Sequence, residues 1–511
     1  MYFLGGLIVV LACADPSPRG NDDGDGGGSG TGTIGRDSNS ASDTISGTGW
    51  DSDTTARQET DSVDILDTGS SYEACTGKFS VASRLSKGIA TVGIVDWSYS
   101  DTVTAAVLEF GREGRGGEHR APVDVNKLDH RTVLLGMKPD TAYTFRIIIN
   151  KSCSSDVHTI VTRALPINSD FPNIVAAPSS SDEFVILTAG GYVLIVDKDG
   201  DIVWYKDFEL SDGVSFPRAM ISSDGQYMWG ASLNVGDMMG KIRYTAMDGE
   251  GALSTIESLH HHDICNAPYD VEYNQNRIAS IEYDKTENKC DYITEIGMDG
   301  SQHHVYRIRD DFEALTGPGG SPWAEGEWCH SNSIHYVPNE DAYYVSVLRT
   351  NMLIKVTRNG GQGRLVWALD GDGLPSGLGD GDGLFPNVTF LSGGIAWQGQ
   401  HGHHTLADGS LLFFNNEGDV LRSYVRHIIF NGTVAIEDWH YRGEAYTRTL
   451  GDVQQLSNGN LLISYAMSGV IHEVVPERND GGGEILRTIT TGGHPGYVTA
   501  RRYLYGAPDR W

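Results

Sequence analysis

Positive charge is scarce in this chain: 38 Lys and Arg stand against 68 Asp and Glu, for a net charge of −30 over 511 residues. Such a surface repels polyanions, so nucleic acid is excluded as a partner on electrostatic grounds. Long apolar runs are missing as well. Beyond the first dozen residues nothing approaches the roughly 20 apolar residues that a spanning helix needs. Helical periodicity is absent from the body of the chain. Cysteine is sparse, with six residues, and no CxxC or ordered Cys/His spacing argues for structural zinc.

The first segment, Met1 to Ala12, is apolar from Leu4 onward and ends in Val10-Leu11-Ala12-Cys13. It resembles a bacterial lipobox, although the usual basic residues before the apolar run are missing. A segment this short reads as an export signal over residues 1–13. A diacylated Cys13 carries two chains, enough for stable anchoring. The resemblance implies an exported protein, lipid-anchored to a bacterial membrane in the periplasm or at the cell surface, meeting the membrane through that anchor only. Residues 14–71 hold 12 acidic and 3 basic residues and almost nothing that can be buried. They read as a disordered, self-repelling tether.

From residue 72 to 165 the pattern changes to alternating strands, such as Ile89 to Trp97 and Ala105 to Phe110. An early-strand Trp97 and the run Leu134-x-x-x-x-Pro139-x-Thr141-x-Tyr143 resemble a fibronectin type III domain. In that resemblance the tyrosine anchors a strand-connecting corner of a small β-sandwich. Cys75 and Cys153 bound this segment and are expected to pair across it, as export permits. For the remainder, Cys265 with Cys290 is the favoured pairing, with Cys329 left over.

Residues 166–511 repeat. One hairpin type appears at Ser223-Asp224-Gly225, Asp408-Gly409 and Asn458-Gly459, with weaker copies near Asp182, Asn274 and Asn339. A second type alternates with it at Asp199-Gly200, Asp248-Gly249, Asp299-Gly300, Asn359-Gly360, Asn431-Gly432 and Asn479. Asp-Gly and Asn-Gly tolerate the positive φ of tight turns, so each copy marks strand, turn, strand. Interleaved hairpins at this period predict an all-β fold: a six-bladed β-propeller preceded by the small sandwich.

Three histidine-bearing segments each precede a hairpin of the first type, a placement that aims them at one channel mouth. They are His260-His261-His262-Asp263, then Trp328-Cys329-His330-Ser331-Asn332-Ser333 with Arg349 further on, then Gln400-His401-Gly402-His403-His404 followed by Phe413-Phe414-Asn415-Asn416. This ordered set, with Gly451-Asp452-Val453-Gln454 downstream, resembles the bacterial arylsulfotransferases over about residues 170 to 490. Asn415 stands where that family has aspartate. Cys329, His403 and His404 fall outside the pattern.

The resemblance implies nucleotide-independent transfer of a sulfuryl group from a phenolic sulfate donor to a phenol acceptor, with no cofactor. It makes His401 the nucleophile that becomes sulfurylated. His330, Asn332, Arg349 and one or two of His261 and His262 bind the sulfate, and His262 is favoured because Asp263 can orient its ring. A hydroxyl in the last repeat, Ser464 or Ser468, completes the set. The chemistry suits these residues. A neutral imidazole is nucleophilic near pH 7, and a guanidinium with imidazole donors stabilises charge spread over sulfuryl oxygens. Two rivals remain at this level: a hydrolase with zinc held by the histidine clusters, and a non-catalytic propeller that binds ligands at the cell surface.

Overall fold

Short alternating strands punctuated by positive-φ turns satisfy their backbone groups only by pairing with neighbours. In the computed structural model that is what they do, and the chain is all-β. It describes residues 72–506 except 127–129, 167–170, 211–213, 235–238, 259, 284–289, 313–328, 372–387, 392, 394–395, 417–420 and 478–480, and the side chains of 239, 260, 261 and 390 are likewise not described. The expected signal, Cys13 and the tether lie outside the described residues. No α-helix occurs among the described residues, only short 3-10 turns.

The N-terminal segment forms two sheets. Phe79–Leu85, Gly93–Tyr99 and His130–Leu134 make one, and the other is built around Ala106–Arg112 and Ala142–Ile149. Between them lie Trp97, Leu108, Phe110, Tyr143, Phe145 and Ile147. The Tyr143 hydroxyl accepts the Lys138 N–H at 2.8 Å. Cys75 and Cys153 are bonded, closing the edge of this unit.

Six sheets follow, numbered I to VI, antiparallel except for one parallel edge pairing in sheet IV. Sheet II is Val214–Ile221, Tyr227–Asn234, Met239–Ala246 and Ser254–Glu257; sheet III is His260–Asn266, Arg277–Tyr283, Asp291–Gly297 and Gln302–Arg307. Sheet IV is Ser331–Val337, Ala342–Val347, Met352–Thr357 and Arg364–Asp370, with Phe390–Leu391 added at its edge. Sheet V is Gln400–Thr405, Leu411–Asn415, Tyr424–Asn431 and Val434–Arg442; sheet VI is Asp452–Gln455, Leu461–Tyr465, Val470–Pro476 and Gly483–Thr490, with Val175–Ala176 outside it.

Sheet I is different. Its strands Phe184–Ala189, Tyr192–Val196 and Ile202–Asp207 are joined by Thr499–Arg501 from the end of the chain, which pairs with Phe184–Ala189. The first hairpin type therefore joins the first two strands of sheets II to VI, and the second type joins strands three and four of those sheets and, in sheet I, Tyr192–Val196 to Ile202–Asp207. Near Asp182 the expected hairpin is not formed, because the distant C-terminal strand takes the partner's place.

Neighbouring sheets share apolar cores. One core spans sheets II, III and IV, a second joins IV to V, and a third joins V to VI. A fourth contains residues of VI, I and II together. Trp204 shows the type of contact: it is fully buried, and its indole N–H donates to the Met247 carbonyl at 2.9 Å, tying sheet I to sheet II. Burying such a side chain contributes about 1.5–3 kcal/mol. The N-terminal sandwich docks on the turn ends of sheets I and II. There Lys138 meets Asp197, Asp199 and Asp201, and Arg131 meets Asp248 and Glu250.

The expected Cys265–Cys290 pairing is not formed. Cys290 bonds Cys329, and Cys265 is a buried free thiol. Register explains the difference. Cys265 sits opposite Ala279, and Ala279 opposite Glu295. Cys290 lies five residues before Glu295, which at about 3.3 Å per residue removes it by roughly 16 Å along the strand.

Candidate active site

The candidate residues gather at one end of the sheets, where each first strand begins and each second strand ends. His262 belongs to the first strand of sheet III, His330 immediately precedes that of sheet IV, and His401 lies in that of sheet V. Arg349 is in the turn after the second strand of sheet IV. At this end the first strands of sheets II to V all carry a register shift: between Ser215 and Arg218, His260 and Ile264, Ser331 and Ser333, and Gln400 and His403. Such bulges turn side chains out of the regular alternation. Two of the histidines hold left-handed backbone, His262 at φ 61° and His330 at φ 46°. That conformation costs a non-glycine residue about 1–3 kcal/mol.

The two rings meet: His262 Nε2 and His330 Nε2 are 2.9 Å apart, so one donates its proton to the other. Asp263 does not orient His262. Its carboxylate is occupied by Arg218 and by the Ile334 N–H. The side chain of His261 lies outside the described residues.

Gln400 and Asn332 lace sheets IV and V together beside His401. The Gln400 Nε2 donates to the Val347 and Met352 carbonyls, each at 3.1 Å. In return, Asn332 Nδ2 donates to the Gln400 carbonyl at 2.8 Å. Arg349 is anchored through its backbone N–H to the Cys329 carbonyl at 3.1 Å, and Asn351, two residues on, accepts the Gly399 N–H at 3.2 Å. Cys329 is in turn disulfide-bonded to Cys290, whose neighbour Asp291 accepts the Ser331 N–H at 2.7 Å. His330 is thus bracketed by a covalent bond on one side and a charge-assisted hydrogen bond on the other.

His401 is only 4% exposed. Its Nδ1 lies 2.6 Å from Asn416 Oδ1 and 3.2 Å from the Gly399 carbonyl. The orientation of Asn416 is fixed independently, because its Nδ2 donates to the Thr447 carbonyl at 2.7 Å and the Leu450 carbonyl at 2.9 Å. Its oxygen therefore faces the imidazole, Nδ1 must carry the proton, and Nε2 keeps its lone pair. Burial pushes the His401 pKa down to about 4; the hydrogen bonds to Asn416 and Gly399 oppose this, and the charge of His330 adds to it. The ring is neutral at pH 7.

In the sequence Asn416 carries no role, since the family pattern concerns Asn415. The structure puts Asn415 in the second strand of sheet V, fully buried opposite Gln400. Ser464, also fully buried, donates its hydroxyl proton to the Gly496 carbonyl at 2.9 Å, and Ser468 donates to the Tyr446 carbonyl.

Further along the same strands lies a buried ionic knot that sequence reasoning missed. Arg218 of sheet II binds Asp263 of sheet III through Nε at 2.7 Å and Nη2 at 3.2 Å, and Asp452 of sheet VI through Nη1 at 2.9 Å. Asp452 also accepts from His404 Nε2 at 3.2 Å. Gly402 makes room for it, since a Cβ there would stand 2.1 Å from the Asp452 Oδ1. Burial raises the Asp263 pKa, whereas at Asp452 the upward pull of burial is outweighed by Arg218 and His404. His403 pairs with Ser333 at 2.8 Å. The histidines of the 401–404 segment thus face three separate partners, and no group of three metal-ligating side chains occurs among the described residues. Concavities of about 330 and 400 Å³, sharing His335, Thr405 and Leu406, lie at the opposite end of these strands from His401.

Residues 174–493 match the family described as Arylsulfotransferase (ASST). A comparison with curated proteins gives no match. Among solved structures, the chain is similar to a periplasmic gluconolactonase of Pseudomonas aeruginosa, at 12% identity over 62% of this chain and 98% of that one, with a TM-score of 0.38. It is similar also to a Bacteroides caccae protein of unknown function, at 13% identity over 63% of this chain and 100% of that one, with a TM-score of 0.38.

Proposed function

Because the chain belongs to the arylsulfotransferase family, we propose that it moves a sulfuryl group from a phenolic sulfate ester to a phenol by a ping-pong reaction through a sulfohistidine at His401. The carrying observation is the Asn416-fixed tautomer, which leaves Nε2 of a buried, neutral imidazole as the nucleophile. In the first half-reaction the Nε2 lone pair forms the N–S bond while the S–O(aryl) bond breaks. The departing phenolate oxygen takes a proton from the His262–His330 pair. In the second, the acceptor phenol returns a proton to that pair, its oxygen bonds to sulfur, and the N–S bond breaks. Arg349, His330, His261 and Asn332 hold the sulfuryl oxygens, Asn332 also through its grip on Gln400, and Ser464 serves at the site's edge.

The six sheets close into a six-bladed propeller in this reading. It is supported by the core common to sheets VI, I and II and by the Arg218–Asp452 bond between sheets II and VI. The N-terminal unit is a fibronectin type III-like sandwich, supported by its Tyr143 corner. The protein is exported and lipid-anchored through Cys13 in the periplasm or at the cell surface. The two disulfides support an oxidising compartment. Palmitate labelling that persisted in a Cys13→Ala protein would count against the anchor.

Incubation with a chromogenic aryl sulfate and a phenol acceptor, followed by mass analysis, tests the reaction. The expected product is a peptide carrying a sulfuryl group on His401. Full activity in His401→Ala removes the mechanism.

A further inference from the structure

The segment from Gly496 to Val498 lies beyond the matched family span and carries none of the roles above. Its geometry is specific. Tyr497 is fully buried. Its backbone N–H donates to the Pro217 carbonyl of sheet II at 2.6 Å, and its hydroxyl donates to the Asn332 carbonyl of sheet IV at 2.5 Å. The Arg218 guanidinium lies 4.7 Å from its ring centroid. Around it, the Gly496 N–H donates to Thr188 Oγ1 of sheet I at 3.1 Å, the Gly496 carbonyl accepts from Ser464 of sheet VI, and the Val498 carbonyl accepts from Arg218 at 2.9 Å. Gly496 is required here, because a Cβ would stand 1.9 Å from the Pro217 carbonyl oxygen.

The phenol thus crosses from this segment to a residue whose side chain grips the backbone of Gln400, the neighbour of His401. Asn332 receives the Tyr497 proton on its carbonyl and gives its Nδ2 proton to Gln400. Two residues before it is His330, held in left-handed backbone. We infer that Tyr497 is a positioning residue for sulfuryl transfer, a strut whose hydroxyl fixes the Asn332 backbone and so the spacing between His330 and His401. This inference rests on the sulfuryl-transfer reading. A polar strut is needed because a displacement of about 1 Å in a reacting pair lowers the rate by up to roughly 10²-fold.

Tyr497→Phe removes only the hydroxyl and keeps the ring under Arg218. Tyr143→Phe is the matched control, since it deletes an equally buried hydroxyl that bonds a backbone N–H in the sandwich. The expected result for Tyr497→Phe is a kcat for aryl-sulfate turnover lowered about tenfold. Its His330 and His401 ring-nitrogen signals should also shift in ¹⁵N-histidine spectra. Tyr143→Phe should lose melting temperature while keeping kcat and those signals. A folded Tyr497→Phe protein with unchanged kcat and unchanged ring signals overturns the inference. If Tyr497→Phe does not fold, Thr188→Val, which loosens the hold on Gly496, should show the same shifts more weakly, and their absence is equally fatal. If the wild-type protein turns over no aryl sulfate, the reaction assignment fails, and the ring signals alone decide the strut.

Discussion

Asn416→Ala is the sharpest probe of how His401 is prepared. The wild-type side chain is 2% exposed and makes three hydrogen bonds, one from His401 Nδ1 and two to the Thr447 and Leu450 carbonyls. Truncation strands those groups in a buried place. At about 1–3 kcal/mol per unsatisfied group, eased by partial relaxation, stability should fall by about 3 kcal/mol. The kinetic effect is separate. In the proposed reaction the ring gains positive charge as Nε2 bonds to sulfur, and the Nδ1–H to Asn416 bond becomes charge-assisted, roughly twice as strong as in the ground state. Losing that increment of about 1–2 kcal/mol predicts a kcat lowered about 5- to 30-fold. Release of phenolate from a chromogenic aryl sulfate measures it, at a temperature where circular dichroism shows the variant folded. A folded Asn416→Ala enzyme with kcat within about twofold of wild type would refute the proposed tautomer control.

The pH response of His401 has a definite sign. Its folded pKa of about 4 lies below the unfolded value near 6.5, so the unfolded chain binds more protons between these values. Its contribution, about 3 kcal/mol, is fully present above pH 6.5 and is lost as pH falls through about 4. Urea titrations of wild type and His401→Asn at pH 7.5, 5.5 and 4.5 should show the variant losing less stability on acidification, and parallel losses would contradict the burial argument. Arg218→Met leaves Asp263 and Asp452 buried without their cation and should lower unfolding stability by about 3–5 kcal/mol. A variant within about 1 kcal/mol of wild type in urea would mean the knot is energetically idle.

The strands and turns were legible because their physics is local. Gly225 at φ 74° and Gly409 at φ 83° sit in the tight turns their Asp-Gly pairs announce. The histidine segments were legible because each precedes such a turn at the same point of its repeat. What escaped depends on register or on distance along the chain. Adjacent strand residues face opposite ways, so Asn415 and Asn416 cannot be told apart until the end of the second strand of sheet V is known. The Cys290–Cys329 bond depends on strand offset in the same way. Arg218 and Asp452 are separated by 234 residues and leave no local pattern. Tyr497 resembles any other tyrosine near a chain end.

Thr499–Arg501 completes sheet I beside residues that leave the ribosome far earlier. A pairing so remote along the chain carries a high loop-closure cost and is expected to form late in folding. During synthesis, and throughout any passage in an extended state, the histidines are carried by a polypeptide that has no assembled pocket. In the proposed reaction, a chain cut before Thr499 lacks the strand that pairs with Phe184–Ala189 and should transfer no sulfuryl group.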